Sequence, residues 1–261
     1  RRYNTLLVKY TAHQIDIRLN RPEARNALNE EMITELTDVF QFIATMPDFR
    51  VVTLMGEGPA FCAGADLNWM QRASQLKAKD NEADAKQLYD CFEAIDQCAI
   101  PVIGGVQGYV LGGGVGLVSV CDYVVAFHRT HFSLSEVRLG LVPAIIGPFL
   151  LNKMGASWCR ALFLSAERFE TAKALDVGLV HEQVNAIHDL TAAIQRLSTH
   201  ITAAYPGAVR TAKSFLRQLV AVSDEEKKKL AVQTLANIRV SEEAKAGILS
   251  FLEKRYKTKL L

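Results

Sequence analysis

The sequence predicts an α/β core with crossover connections, followed by a helical region. Three observations predict it. Short β-branched runs alternate with segments of helical apolar spacing through the first two thirds of the chain. A run of three glycines, Gly112-Gly113-Gly114, opens the apolar stretch Val115 to Val120, which reads as a buried helix. From about Pro148 onward the pattern is helical, interrupted at Gly178-Leu179-Val180.

The elements follow in order. Residues 3–19 alternate, with Thr5, Leu7, Ile15, Ile17 and Leu19, and predict two strands around a turn near Thr11-Ala12-His13. Asn20-Arg21-Pro22-Glu23 ends the second. Met32, Ile33, Leu36, Val39, Phe40 and Ile43 recur at helical spacing over 29–44, with Asn29 as N-cap. Val51 to Met55 is a short buried strand, stopped by Gly56-Glu57-Gly58-Pro59. Phe61-Cys62-Ala63-Gly64-Ala65-Asp66-Leu67 is a turn leading toward a helix, which Asp66 is placed to cap. Residues 71–86 are polar and charged, and fit either an exposed, mobile flap or a solvated helix face. A helix is predicted from about Ala85 to Cys98, halting before Pro101. Val102 to Val106 and Tyr123 to Phe127 are strands on either side of the glycine corner and its helix. Four helices are predicted over 186–203, 206–220, 224–239 and 241–255.

Composition bounds the function. A chain of 261 residues with 49% hydrophobic and 22% charged residues can bury a large core. A net charge of +2 is too balanced to make nucleic acid or an anionic membrane the main partner. No apolar run reaches the roughly 18 residues of a spanning helix, and the N-terminus shows no secretory apolar region. The five cysteines are odd in number and form no C-x-x-C pair, which predicts buried thiols rather than a disulfide framework. The six histidines lack metal-ligand spacing, and His128 and His131 fit turn positions. No metal site is expected. Ser133 and Ser135 flank no nucleophile elbow.

The glycine corner and Glu136 carry the chemistry. Glycines at a helix start leave bare N–H groups that a substrate can approach closely, a setting suited to an oxygen that becomes negative during reaction. Read alone, the run fits tight helix–strand packing equally well. Glu136 sits among Phe132, Leu134, Val137 and Leu139, where partial desolvation would raise its pKa. By itself it also fits a surface loop.

Asn20-Arg21-Pro22, Asn26-Ala27-Leu28, Phe61 to Leu67, Gly112-Gly113-Gly114, Cys121-Asp122 and Gly178-Leu179-Val180 stand in the order and spacing of the crotonase (enoyl-CoA hydratase/isomerase) superfamily. The resemblance covers about Leu6 to Lys257. It implies a crotonase-like spiral of ββα units over 1–195 and a C-terminal helical trimerisation region over 196–261. It implies an acyl-CoA substrate with no separate cofactor, a homotrimer or dimer of trimers, and a cytoplasmic location (the mitochondrial matrix in a eukaryote). By resemblance, the backbone N–H groups of Ala65 and Gly113 form the oxyanion hole and Glu136 is the catalytic acid/base. Ala63, Ala65, Asp66 and Leu67 resemble the segment along the CoA. Arg25 and Ala27 resemble the loop opposite, with Arg25 toward phosphate. Phe251 and Lys254 match C-terminal positions lent to a neighbouring subunit's CoA.

One position departs from the pattern. Two-glutamate hydratases carry a second glutamate three residues after the middle glycine, where this chain has Gly116. The expected reaction is addition of water to a 2-enoyl-CoA. Alternatives are a double-bond shift using Glu136 alone, and a catalytically weak CoA-binding protein. Leu67-Asn68-Trp69-Met70, Gly113 to Leu117, Leu134 to Val137 and Leu139 to Pro148 resemble the 3-methylglutaconyl-CoA and branched-chain enoyl-CoA hydratases, which implies a branched or carboxylated acyl group. A glutamate placed at 116 is then expected to raise hydration of simple enoyl-CoAs.

Overall fold

The structure, a computed structural model, describes residues 1–258, with side chains to Glu253. The chain forms two compact units, Arg1–Ser198 and Thr199–Leu261.

In the first unit, β1 (Leu6–Tyr10) and β2 (Gln14–Leu19) form an antiparallel hairpin. A 3-10 turn (Pro22–Ala24) leads to α1 (Glu30–Ile43), whose start is fixed by Asn29, its side chain accepting from the Met32 N–H at 2.9 Å. Then come β3 (Val51–Gly56), α2 (Leu67–Ala73), α3 (Ala78–Asp96), β4 (Val102–Val106), β5 (Tyr109–Leu111) and α4 (Gly113–Ser119). They are followed by β6 (Tyr123–Phe127), β7 (His131–Ser133), a 3-10 turn (Glu136–Leu139), α5 (Gly147–Ser165), β8 (Arg168–Glu170), α6 (Thr171–Asp176), β9 (Glu182–Val184) and α7 (Ile187–Thr202).

Two sheets result. The larger runs β1-β2-β3-β4-β6-β9, the smaller β5-β7-β8. Beyond the hairpin, every pairing of the larger sheet is parallel. Its central strands β3 and β4 are buried at every residue, because helices and the second sheet cover both faces. The pairs β4–β6 and β5–β7 advance together, so each turn of the chain lays one strand in each sheet before a helical or turn segment. This is the ββα spiral. The core runs through Leu36, Phe40, Leu54, Phe61, Phe92, Val115 and Phe132. All five cysteines are buried and free, as their spacing predicted.

The second unit holds the end of α7 from Thr199 onward, α8 (Pro206–Ala221), α9 (Asp224–Arg239) and α10 (Glu242–Thr258). The observed helices lie within a few residues of the predicted ones. A capping box starts α9: Ser223 and Glu226 satisfy each other's backbone N–H groups.

Three readings are corrected. Residues 78–86 are the opening turns of α3, so the flap does not exist there. Charge alone fits both forms, and the helix is decided by burial of Cys91, Phe92 and Ile95 further along it. His131 begins β7 rather than sitting in a turn. The region after Pro148 contains β8 and β9, each only three residues long. A strand that short has too few alternations to register as a pattern.

Candidate active site

Two chain segments converge on the site. The first starts beyond β2, where Arg25 and Asn26 both adopt left-handed backbone, with φ of 50° and 54°. That conformation is costly away from glycine, and the Asn26 side chain holds it. Fully buried, it accepts from the Arg21 N–H and donates to the carbonyls of Glu57 and Ala60, each at 2.8 Å. The loop so fixed grips the following one. The Ala63 N–H donates to the Arg25 carbonyl at 3.0 Å, Leu28 to Gly64 at 2.8 Å, and Asp66 to Leu28 at 2.8 Å. Replacing Asn26 by Ala leaves three backbone groups unpaired. The expected cost is about 3 kcal/mol or more, read as a lower urea midpoint; an unchanged midpoint would remove Asn26 from this role.

The second segment is β5 and the glycine corner. Gly112 has φ 47° and ψ −115°, open only to glycine. Its N–H donates to the Ser133 carbonyl at 2.9 Å, tying the corner to β7. The segments are also bonded to each other: the Cys62 N–H donates to Tyr109 at 3.1 Å and the Leu111 N–H to Cys62 at 3.0 Å. Their approach needs Gly114, where a Cβ would lie 2.3 Å from the Cys62 carbonyl oxygen.

Around these bonds the N–H groups of Gly64, Ala65, Gly113 and Gly114 are left over, and the two assigned by resemblance are among them. The N–H groups of Ala63, Asp66, Gly112 and Val115 all donate within the protein. Those of Ala65 and Gly113 have no acceptor among the described residues. They stand on bonded loops, so their separation is fixed before any ligand arrives.

Glu136 begins the 3-10 turn after β7. Its Oε1 lies 3.2 Å from where a Cβ on Gly112 would stand, so the corner also makes room for the carboxyl. Its Oε2 is buried and accepts no hydrogen bond among the described residues. Burial pushes the carboxyl pKa up, partly opposed by a backbone hydrogen bond of its own residue. A carboxyl with an unpartnered, dehydrated oxygen holds its proton more readily than an exposed one and is suited to proton transfer.

The remaining sequence-derived candidates divide. Asp66 caps α2, accepting from Asn68 and Trp69 at 2.9 and 3.3 Å, and pairs with Arg21 at 3.0 Å. Burial works against its ionisation, but Arg21 and the two N–H donors outweigh that and hold its pKa below the ordinary carboxylate range. With its carboxylate so engaged, Asp66 orients the Ala63–Leu67 segment. Ala27 is buried, Ala63 and Ala65 are partly exposed, and Leu67 is 80% exposed. Arg25 is exposed, with its guanidinium 5.5 Å from the centre of the Tyr109 ring. Phe251 is exposed on α10 of the second unit, and the side chain of Lys254 lies outside the described residues.

Three neighbours of the glycine corner escaped the sequence reading. A Cβ on Gly113 would lie 2.9 Å from Leu28 Cδ1 and 4.0 Å from Phe92 Cζ. One on Gly116 would lie 2.4 Å from Ile146 Cγ2 and 2.9 Å from Phe92 Cζ. Leu28 lies in a quoted motif and Phe92 in a predicted helix, but no local pattern tells that either faces the glycines. The Gly116 contacts also correct the expected gain from a glutamate there: the space is taken by hydrocarbon, and a side chain would have to displace it. No group of three or more possible metal ligands occurs among the described residues.

Known proteins resemble this chain over nearly its whole length. A model of the enoyl-CoA hydratase/isomerase family matches residues 11–258. The 2,3-dehydroadipyl-CoA hydratase of Escherichia coli K12 is 33% identical over 251 residues, covering 96% of each chain. The crotonyl-CoA hydratase of Syntrophomonas wolfei is 27% identical, covering 97% of this chain and 96% of its own. Among solved structures, an enoyl-CoA hydratase from Shewanella pealeana superposes with a TM-score of 0.92 at 34% identity, covering 96% of this chain and 94% of that one. An enoyl-CoA hydratase from Mycobacterium smegmatis gives 0.91 at 29% identity, covering 96% and 97%. With its ββα spiral and a family match over nearly its whole length, the chain belongs to the enoyl-CoA hydratase/isomerase family of crotonase-fold enzymes.

Proposed function

We propose that this protein adds water to a 2-enoyl-CoA thioester, with Glu136 as its one acid/base group and the N–H groups of Ala65 and Gly113 as its oxyanion hole. The observation that carries the reading is the half-buried Glu136 carboxyl, its Oε2 unpartnered among the described residues, standing against the Gly112 corner, with unpartnered N–H groups at Gly113 on that corner and at Ala65 on the loop bonded to it. The thioester oxygen accepts from both donors. The Glu136 carboxylate takes a proton from water as the water oxygen bonds to C3. The C2–C3 π pair moves toward the carbonyl, and the enolate oxygen is held by Ala65 and Gly113. Glu136 then gives its proton to C2, restoring the carbonyl. One fixed oxyanion donor is typically worth ~3 kcal/mol of barrier.

Arg25 is an exposed cation beside the Ala63–Leu67 segment and suits CoA phosphate, with Ala27, Ala63 and Leu67 along the same path. The acyl group is branched or carboxylated, as the resemblance of the Leu67–Met70 and Leu139–Pro148 segments implies. A relative whose name gives 2,3-dehydroadipyl-CoA, a carboxylated acyl group, supports this. The functional form is a homotrimer or dimer of trimers, with Phe251 and Lys254 completing a neighbour's CoA site. In support, α8 and α9 contain no fully buried residue, and Leu216, Val220, Val232 and Leu235 are all more than half exposed. No nucleic acid or membrane takes part in this reading. No helix among the described residues is long and apolar enough to cross a membrane.

Gly116 favours a second reading, a double-bond shift in which Glu136 lifts a proton from one carbon and returns it to another. Incubation with 3-methylglutaconyl-CoA, crotonyl-CoA and a 3-enoyl-CoA in deuterated water, followed by mass spectrometry, separates the two. The expected product is a 2-enoyl-CoA that has gained water and one carbon-bound deuterium. A shifted double bond without added water would make the protein an isomerase. CoA binding without turnover would favour the binding-protein alternative.

A further inference from the structure

The small sheet ends in a cavity of about 60 Å³, and strand register builds it. Leu111, Ser133 and Arg168 are cross-strand partners on β5, β7 and β8, so their side chains share one face. The neighbouring row, Val110, Phe132 and Phe169, turns the other way into the core, with the two phenyl rings stacked at 5.6 Å. Ser135 and Arg138 close the cavity from the turn after β7, and Ala166 closes it from the chain just before β8. Two guanidiniums thus line a small space whose wall contains no acidic residue. Neither Arg138 nor Arg168 has an ion pair or a side-chain hydrogen bond among the described residues, and the Ser135 hydroxyl is equally unengaged. The Ser133 hydroxyl, by contrast, donates to the Ala166 carbonyl at 3.3 Å. Each nearby carboxylate is committed elsewhere. Glu167 pairs with Lys173, Glu170 faces His131 at 3.7 Å, and Glu136 Oε1 lies against the Gly112 corner.

We propose that Arg138, Arg168 and Ser135 form a binding site for one small oxyanion, a phosphate or a carboxylate group, separate from the donors of Ala65 and Gly113. A guanidinium presents a fork of N–H donors that matches such groups, and the Ser135 hydroxyl adds another donor. Two like charges around one small space repel when no counter-charge stands between them, and an anion there reverses the sign of the interaction. The volume admits one such group and no larger ligand. Arg138 shares its four-residue 3-10 turn with Glu136, so the bound anion ties the turn that carries Glu136 to β8.

Inorganic phosphate is the first probe, titrated calorimetrically into the full chain free of CoA. Saturable binding is expected in wild type and is expected to weaken about tenfold or more in Arg138→Gln and in Arg168→Gln. The melting temperature should climb with phosphate in wild type and much less in either variant. Both arginines are exposed, so both variants should fold. Arg25→Gln should bind phosphate as wild type does. Loss in Arg25→Gln with retention in the other two would place the phosphate at Arg25 and overturn the proposal. Glutaryl-CoA and butyryl-CoA then distinguish the source of the anion. If the acyl group's own carboxylate occupies the site, wild type prefers glutaryl-CoA, both arginine variants erase the preference, and phosphate competes with glutaryl-CoA alone. If the anion is free in solution, phosphate binds equally in the presence of either thioester. Neither saturable phosphate binding nor a glutaryl preference in wild type, or values unchanged in both arginine variants, would dismiss the site.

Discussion

Glu136→Gln is expected to lower kcat by about a thousandfold and to leave the fold no less stable. The amide keeps the shape of the side chain but neither takes nor gives the proton. The stability prediction follows from burial. Because burial raises the Glu136 pKa in the folded state, the group's contribution is fully present below its unfolded pKa. It is lost as pH rises through the folded value, since the ionised form is held without a partner at Oε2. Glutamine carries no charge to bury. The melting temperature of the variant relative to wild type should therefore rise as pH increases from the ordinary glutamate range through the raised folded-state pKa. The wild-type kcat/KM should show an acid limb above the ordinary carboxylate range, where the base becomes protonated, and the variant should lack it. A merely structural glutamate would predict the reverse: a destabilised variant and an unchanged pH profile.

Gly114→Ala is expected to damage the site by the addition of a single methyl. The added carbon would meet the Cys62 carbonyl oxygen at 2.3 Å and Cys62 Cβ at 3.0 Å. Backbone cannot swing aside as the end of a side chain can, so the two donor segments must separate. The bonds between Cys62, Tyr109 and Leu111 stretch with them, and the spacing of the Ala65 and Gly113 N–H groups proposed as the oxyanion hole changes. The expected result is a fall in kcat of about a hundredfold or more, with a lower melting temperature. Activity near wild type in a folded variant would show that donor spacing is not set at this contact.

The fold was legible where residue types repeat over distance. The six-residue apolar pattern of α1 located that helix and its cap, and the amphipathic spacing of the C-terminal helices placed α7, α8 and α9 almost to the residue. The three-residue strands β5, β7, β8 and β9 were missed. Each exists through hydrogen bonds to strands far along the chain, and a segment so short has no period of its own. The start of α3 was misplaced for a related reason: its first turns are solvated, and a solvated helix and a solvated loop share a composition.

The site divides along the same line. Glycines 112 to 114 and a lone glutamate among apolar neighbours are local facts, and both are where the structure leaves donors and a carboxyl unpartnered. The sequence by itself determined the chemical inventory: which backbone lacks side chains, which carboxyl is crowded by hydrocarbon, and that no second carboxyl stands at 116. Only the tertiary structure decided the geometry. Asn26 locks a left-handed pair by reaching Glu57 and Ala60, Arg21 pairs with Asp66, and Ile146 settles on Gly116. Each contact joins residues about 30 or more positions apart. No local pattern encodes it, because it is selected by packing density and hydrogen-bond satisfaction across the folded core.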